Sequence, residues 1–241
     1  MDSMGLNGGY MVEAMERRGF LAGLGAVSLV TLSGCATGGG GLGQLSLVEV
    51  IQRLLHHASN DAFATLTAQD GFWNSAVARI PVPVLFGKQG GVAQSILTSG
   101  PFREKLQKQL NNVAEGGARR AAPLVADAIR SMSVADAAAL LKSAEPTAAT
   151  SALRAQMGPA LVNAMIPDLA EALRVANDPI VNQAVSALAG VNLTDVAHSV
   201  ALGADNAIWY QIGAAESHIR ANPEQTNDPL LIAGLKAAQA L

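Results

Sequence analysis

From Leu47 onward the apolar positions recur at intervals of three and four, the period of an amphipathic helix. Leu47, Val48, Ile51, Leu54, Leu55 and Ala58 form the first such face. Ser46-Leu47-Val48-Glu49 has the form of a capping box, so the helix is expected to open there. Leu106, Leu110 and Val113 begin a second face, which Leu124, Val125, Ala128, Ile129 and Met132 continue. Pro101 suits the first turn of that helix, Gly116-Gly117 should weaken it, and Pro123 should kink or restart it. Ser133-Val134-Ala135-Asp136 reads as another capping box, opening a helix through Leu141 with Lys142 at its carbonyl end. Further helices are expected at 89–97, from Glu145-Pro146-Thr147 through Leu153, and at 180–189. Leu161, Met165, Leu169 and Leu173 mark another, with Pro167 as a bend. Thr194 should cap the longest late helix, in which Ile208, Ile212, Ala215 and Ile219 share a stripe. Gly203, Ala204, Ala207, Gly213 and Ala214 allow that helix to approach its neighbours closely. Asn222-Pro223 should end it, and Asp228-Pro229 should open a terminal helix from Leu230 to Leu241.

One stretch breaks the period. Asp70-Gly71 is a turn signal, Phe72 and Trp73 follow, and Ile80-Pro81-Val82-Pro83-Val84 enforces extended backbone. Residues 70–86 are therefore expected to form a long ordered loop pinned to the core by its aromatics. In the alternative reading, Phe72 and Trp73 form a binding lip. The pattern as a whole predicts an all-α fold, a single multi-helix bundle with kinked helices and one long ordered loop rich in proline and aromatic residues, spanning residues 45–241. The low aromatic content, 4%, and the abundance of Ala and Leu agree with helix. With a net charge of −3 the chain has no basic excess to neutralise phosphates, so nucleic acid is not an expected partner.

Ahead of the domain the pattern changes. Arg17-Arg18 precede an apolar run ending near Leu32, too short for the ~20 residues that span a bilayer. With Phe20-Leu21 behind the arginines, residues 1–34 resemble a twin-arginine export signal. Leu32-Ser33-Gly34-Cys35 resembles a bacterial lipobox, which implies cleavage before Cys35 and acylation of that residue. Cys35 is the single cysteine of the chain, so it has no disulfide partner within it. Several acyl chains anchor stably where one does not. Ala36 after the cysteine implies, by the same resemblance, the outer rather than the inner membrane. Residues 35–44, rich in glycine, read as a tether. The expectation is an exported lipoprotein in the periplasm, bound to the membrane through acylated Cys35.

Catalytic signatures are missing. The chain has no G-x-S-x-G elbow, H-E-x-x-H helix or phosphate-binding loop. His56 and His57 are adjacent and point about 100° apart along a helix. Glu216 and His218, two apart, do not share a face. His198 and Asp205 could share one, as a remote candidate dyad. No cofactor and no metal site are expected. Arg119 and Arg120 are candidates for an anionic headgroup, against the plainer reading of a solvated pair.

Taken in order, several segments resemble an uncharacterised bacterial family, domain-of-unknown-function family 4197. They are Asp70-Gly71-Phe72 with Asn74, Ile80-Pro81-Val82-Pro83, Ala122-Pro123, Ala128-Ile129 with Met132, Asp136-Ala137, Leu141-Lys142, Ala148-Ala149-Thr150 and Ile219-Arg220-Ala221-Asn222-Pro223. The resemblance implies a mostly helical domain with lipoprotein or secretory signals and no assigned activity. The expected function is a binding or scaffold module for an envelope protein or a lipid, with a periplasmic enzyme whose site is assembled by the fold as the alternative.

Overall fold

A computed structural model describes residues 42–83, 99–175, 179, 182 and 192–239. The described residues form eight α-helices, with no strand among them. These are α1 (Leu42–Leu66), α2 (Gly71–Asn74), α3 (Gly100–Arg130), α4 (Ala137–Lys142), α5 (Ala148–Met157), α6 (Ala160–Val175), α7 (Leu193–Ala221) and α8 (Pro229–Gln239). A 3-10 turn, Pro223–Thr226, separates the last two. The all-α bundle is as the pattern predicts. The expected helices at 89–97 and 180–189 lie outside the described residues, apart from Asn182, which is helical.

Four long helices make the frame. α7 packs on α1 and α6, and α3 packs on the same two, so the four close a ring around the core. Ile51, Leu54, Leu55 and Leu66 of α1 are fully buried, as are Ile208 and Ile212 of α7, so the stripes read from spacing are the faces turned inward. The shorter helices sit outside the ring: α4 and α8 against α1, α5 against α7, and α2 against α3.

Helix boundaries depart from the pattern where the capping chemistry is subtler than the signals. α1 begins at Leu42, inside the stretch read as tether and four residues ahead of Ser46. Asp136, read as the last residue of a capping box, is itself the N-cap of α4, its Oδ1 accepting from Ala139 N at 2.8 Å. Asn192 caps α7 by accepting from Thr194 N at 3.0 Å, so Thr194 is inside the helix it was expected to cap. Asp228 caps α8 as expected, accepting from the N–H groups of Leu230 and Leu231.

α3 continues through Gly116, Gly117 and Pro123 without restarting. Gly117 has a packing reason: a Cβ there would lie 3.1 Å from Leu169 Cδ2 of α6. The glycine that should weaken the helix lets two frame helices come close.

The segment after α1 is only partly the expected loop. Asp70 is in the left-handed region at φ 57°, and Gly71–Asn74 is one helical turn. Gly71 is required sterically, because a Cβ would stand 2.3 Å from the Thr65 carbonyl oxygen. Phe72 is fully buried and anchors the turn in the core. Trp73 does not join it there; it is half-buried, with the Arg79 guanidinium 4.5 Å from its ring centroid. The second anchor is instead a buried polar residue. Asn111 of α3 accepts from Ile80 N at 2.8 Å and donates to Ile80 O at 2.9 Å. This satisfies both backbone groups of a residue that prolines keep out of regular structure. The Ile80 side chain rests against Gly203 of α7, where a Cβ would be 2.9 Å away.

Candidate functional site

The most connected polar feature joins α7 to α5 and α4. Glu216 is fully buried and its carboxylate accepts from Ala149 N at 3.1 Å, Thr150 N at 2.7 Å and Arg220 Nε at 2.8 Å. Ala149 and Thr150 are in the first turn of α5, whose N–H groups have no partner within the helix. Arg220, one turn along from Glu216, donates to the carbonyls of Leu140 and Leu141 at the end of α4. One ion pair on α7 therefore closes the positive end of α5 with a carboxylate and the negative end of α4 with a guanidinium, each sign matched to the helix dipole. Glu216 and His218, set aside as residues on different faces, do diverge. His218 is exposed beside Gln225, and Glu216 alone faces inward.

This clamp fixes α5 beside α7 and leaves an open groove between them, with a cavity volume of about 570 Å³. One wall is Thr147, Thr150, Ser151 and Arg154 of α5 and its cap; the other is Asn206, Trp209, Tyr210 and Ser217 of α7. Gly213 and Ala214 form the part of the α7 surface between them, and a Cβ on Gly213 would sit 3.1 Å from Thr147 Cγ2. Trp209 is buried and donates its indole N–H to Asp205 at 2.8 Å. Arg154 donates to Asp205 at 3.0 Å and to Asn206 at 2.7 Å, so its charge is balanced at the groove edge. Thr150 is the exception to this satisfied network: its Oγ1 is buried and has no hydrogen-bond partner. Tyr210 is 56% exposed, unusual for a large ring in so aromatic-poor a chain. A smaller cavity of about 350 Å³, with Leu141, Lys142, Arg220 and Leu235 among its lining residues, meets the groove at Ser217.

The residues lining the groove offer hydrogen bonding and apolar contact, with no His, Cys, Asp or Glu among them. His198 and Asp205 are not brought together as a dyad: His198 is exposed, while Asp205 is buried and accepts from Trp209 and Arg154. His56 and His57 meet edge to face, His56 beside Asn60 and His57 beside Asp228 at 3.5 Å. Asp228 also takes Arg53 at 3.0 Å. Burial pushes its carboxyl upward, but the Leu231 N–H, Arg53 and His57 outweigh this and hold it below the usual aspartate range. No three metal-ligating side chains converge among the described residues.

Phe72, Trp73, Arg119 and Arg120 differ in burial and in what they touch. Phe72 is core. Arg119 donates to the Thr67 carbonyl at 2.9 Å, closing the end of α1, and lies 3.8 Å from Glu115. Arg120 instead pairs with Asp168 of α6. Glu115 is the less comfortable partner. Burial drives its carboxyl above the ordinary glutamate range; Arg119 opposes this and the Asp70 charge adds to it, while the N–H groups of Gly71 and Asp70 draw it back. Its Oε1 is buried without a partner. Arg17, Arg18, Phe20, Leu21, Leu32, Ser33, Gly34 and Cys35 lie outside the described residues. Among the described residues no helix is long and apolar enough to cross a membrane.

The groove residues escape sequence reasoning because they come from segments more than 50 positions apart and carry no motif. The available signal was Trp209-Tyr210, two adjacent aromatics on a helix of small residues, one of which had to face away from the Ile208-Ile212 stripe. Among known proteins, residues 41–233 match the sequence model of a family described as "Protein of unknown function (DUF4197)". No curated protein and no solved structure matches the chain.

Proposed function

We propose that this chain, which belongs to the DUF4197 family of proteins of unknown function, is an exported lipoprotein that works as a binding module at the membrane surface. In this reading acylated Cys35 holds the domain at the periplasmic side of the outer membrane, and the groove between α5 and α7 takes the ligand. Its support at the N-terminus is the twin arginine, the short apolar run and the Leu32-Ser33-Gly34-Cys35 sequence. The observation that carries the binding reading is the groove itself, about 570 Å³ in volume, with Ser151, Arg154, Asn206, Tyr210 and Ser217 among its lining residues. The polar rim suits an envelope component with hydrogen-bonding groups better than an acyl chain. Ligand pockets of soluble proteins fall in the same size range, ~300–1,000 Å³.

The test is photocrosslinking in intact cells. A photoreactive amino acid is placed at Ala214, exposed in the groove, or at Glu104, exposed on α3. A discrete adduct from position 214 that is missing from position 104 is expected. Equal, diffuse labelling from both positions would remove the groove from the account.

A further inference from the structure

We propose that the groove between α5 and α7 binds a neutral saccharide, a claim that rests on the reading of this groove as the binding site. Charge comes first. Arg154 is the one charged side chain lining the groove, and Asp205 at 3.0 Å balances it. The N-terminus of α5, which would otherwise attract an anion, is already taken by the Glu216 carboxylate. The groove therefore selects neither an anion nor a cation.

Hydrogen-bonding capacity comes second. Ser151, Asn206 and Ser217 bring hydroxyl and amide groups to the groove. Only Nη2 of Arg154 is bonded among the described residues, which leaves Nε and Nη1 as donors. Hydroxyl and amide groups both give and accept hydrogen bonds. A ligand rich in hydroxyls matches this mixed set better than one bearing only donors or only acceptors. Beside these groups the exposed ring of Tyr210 and the small surface of Gly213 and Ala214 supply an apolar face. A sugar ring has the same two-sided character: C–H groups on a face and hydroxyls around the edge.

The walls argue against an extended peptide. Both are helices, with backbone groups bonded within the helix or to Glu216, so a peptide would find no sheet edge to extend. The volume of about 570 Å³ suits a short oligosaccharide.

The experiment uses the full chain in detergent micelles with Trp73→Phe, which leaves Trp209 in the groove wall as the single tryptophan reporter. Cellobiose, N,N′-diacetylchitobiose, trialanine and inorganic phosphate are titrated against its fluorescence. A saturable response to at least one disaccharide is expected, and none to trialanine or phosphate. Ser151→Ala, at an exposed position of the groove wall, should weaken binding about fivefold, the loss of one neutral hydrogen bond. Tyr210→Ala should weaken it about tenfold by removing the apolar platform. Both variants should keep the parental helical circular dichroism and melting temperature. Saturation by trialanine alone would overturn the saccharide assignment and leave the groove as a binding site. No saturation by any probe in the folded protein would overturn both. Saturation by a disaccharide that neither variant weakens would move the site elsewhere and refute the proposal.

Discussion

Replacing Glu216 with alanine removes the carboxylate of the ion pair that joins three helices. The side chain is fully buried and accepts three hydrogen bonds. Without it, two N–H groups at the start of α5 lose their partner, and Arg220, 11% exposed at its side chain, loses its carboxylate partner while still facing the α4 carbonyls. Breaking a buried pair from one side costs about 3–5 kcal/mol, and each stranded buried donor about 1–3 kcal/mol. These losses overlap, so we expect about 4 kcal/mol for Glu216→Ala. In a domain of this size that lowers the melting temperature by about 8–16 °C. Arg220→Met keeps the bulk and leaves the carboxylate with its two backbone donors, so it should cost less, about 2–3 kcal/mol. The double variant should cost less than the sum of the two, by at least about 1 kcal/mol, because each single change already breaks the shared bond. Urea denaturation followed by circular dichroism measures all three. If Glu216→Ala lies within about 1 kcal/mol of the parent, or the two changes add, the clamp does not hold α4 and α5 as described.

Other consequences follow from single residues. Gly71→Ala should destabilise by about 2 kcal/mol or more, as overpacking does, because its Cβ would meet the Thr65 and Leu66 carbonyl oxygens and backbone cannot swing aside; thermal melting decides it, and an unchanged midpoint would contradict the geometry. Glu115 carries a folded-state pKa raised by burial. Between its unfolded and folded values the native state holds a proton that the unfolded state has lost, so its contribution to stability falls as pH rises through that window. Glu115→Gln should therefore be more stable than the parent at neutral pH and lose that advantage in acid; a pH-independent loss in denaturation series would refute this. Asp228 runs the other way: its lowered pKa gives stability that is present above the unfolded value and lost as pH falls through the folded one. Asp228→Asn should flatten the acid limb of the same series. Cys35→Ser should move the protein from the membrane to the soluble fraction on cell fractionation, and unchanged membrane recovery would end the lipid-anchor reading.

How far the sequence was legible depends on the range of the interaction. Ile51, Leu54 and Leu55 declare their helix face by spacing alone, because burial of one side of a helix imposes a period on its own residues. Asn222-Pro223 and Asp228-Pro229 mark their boundaries because their effects are local. Gly117 was misread as a weak point because its partner, Leu169, is 52 positions away, and a glycine at a close helix crossing looks like a glycine in a break. Trp73 and Phe72 looked alike in sequence, yet only Phe72 reached the core. Glu216 was judged by its relation to His218, while its true partners, Ala149, Thr150 and Arg220, include two backbone N–H groups that no side-chain pattern records. The groove inherits this difficulty, since its two walls meet only through that long-range clamp.

The central claim is that the groove between α5 and α7 is where this domain binds. A crystal structure of the full chain with saturating N,N′-diacetylchitobiose tests it most directly. The account predicts a sugar oxygen at hydrogen-bond distance from Ser151 Oγ, about 2.7–2.8 Å, with a ring face against Tyr210. A groove closed by its own side chains, with no sugar between α5 and α7, would contradict it.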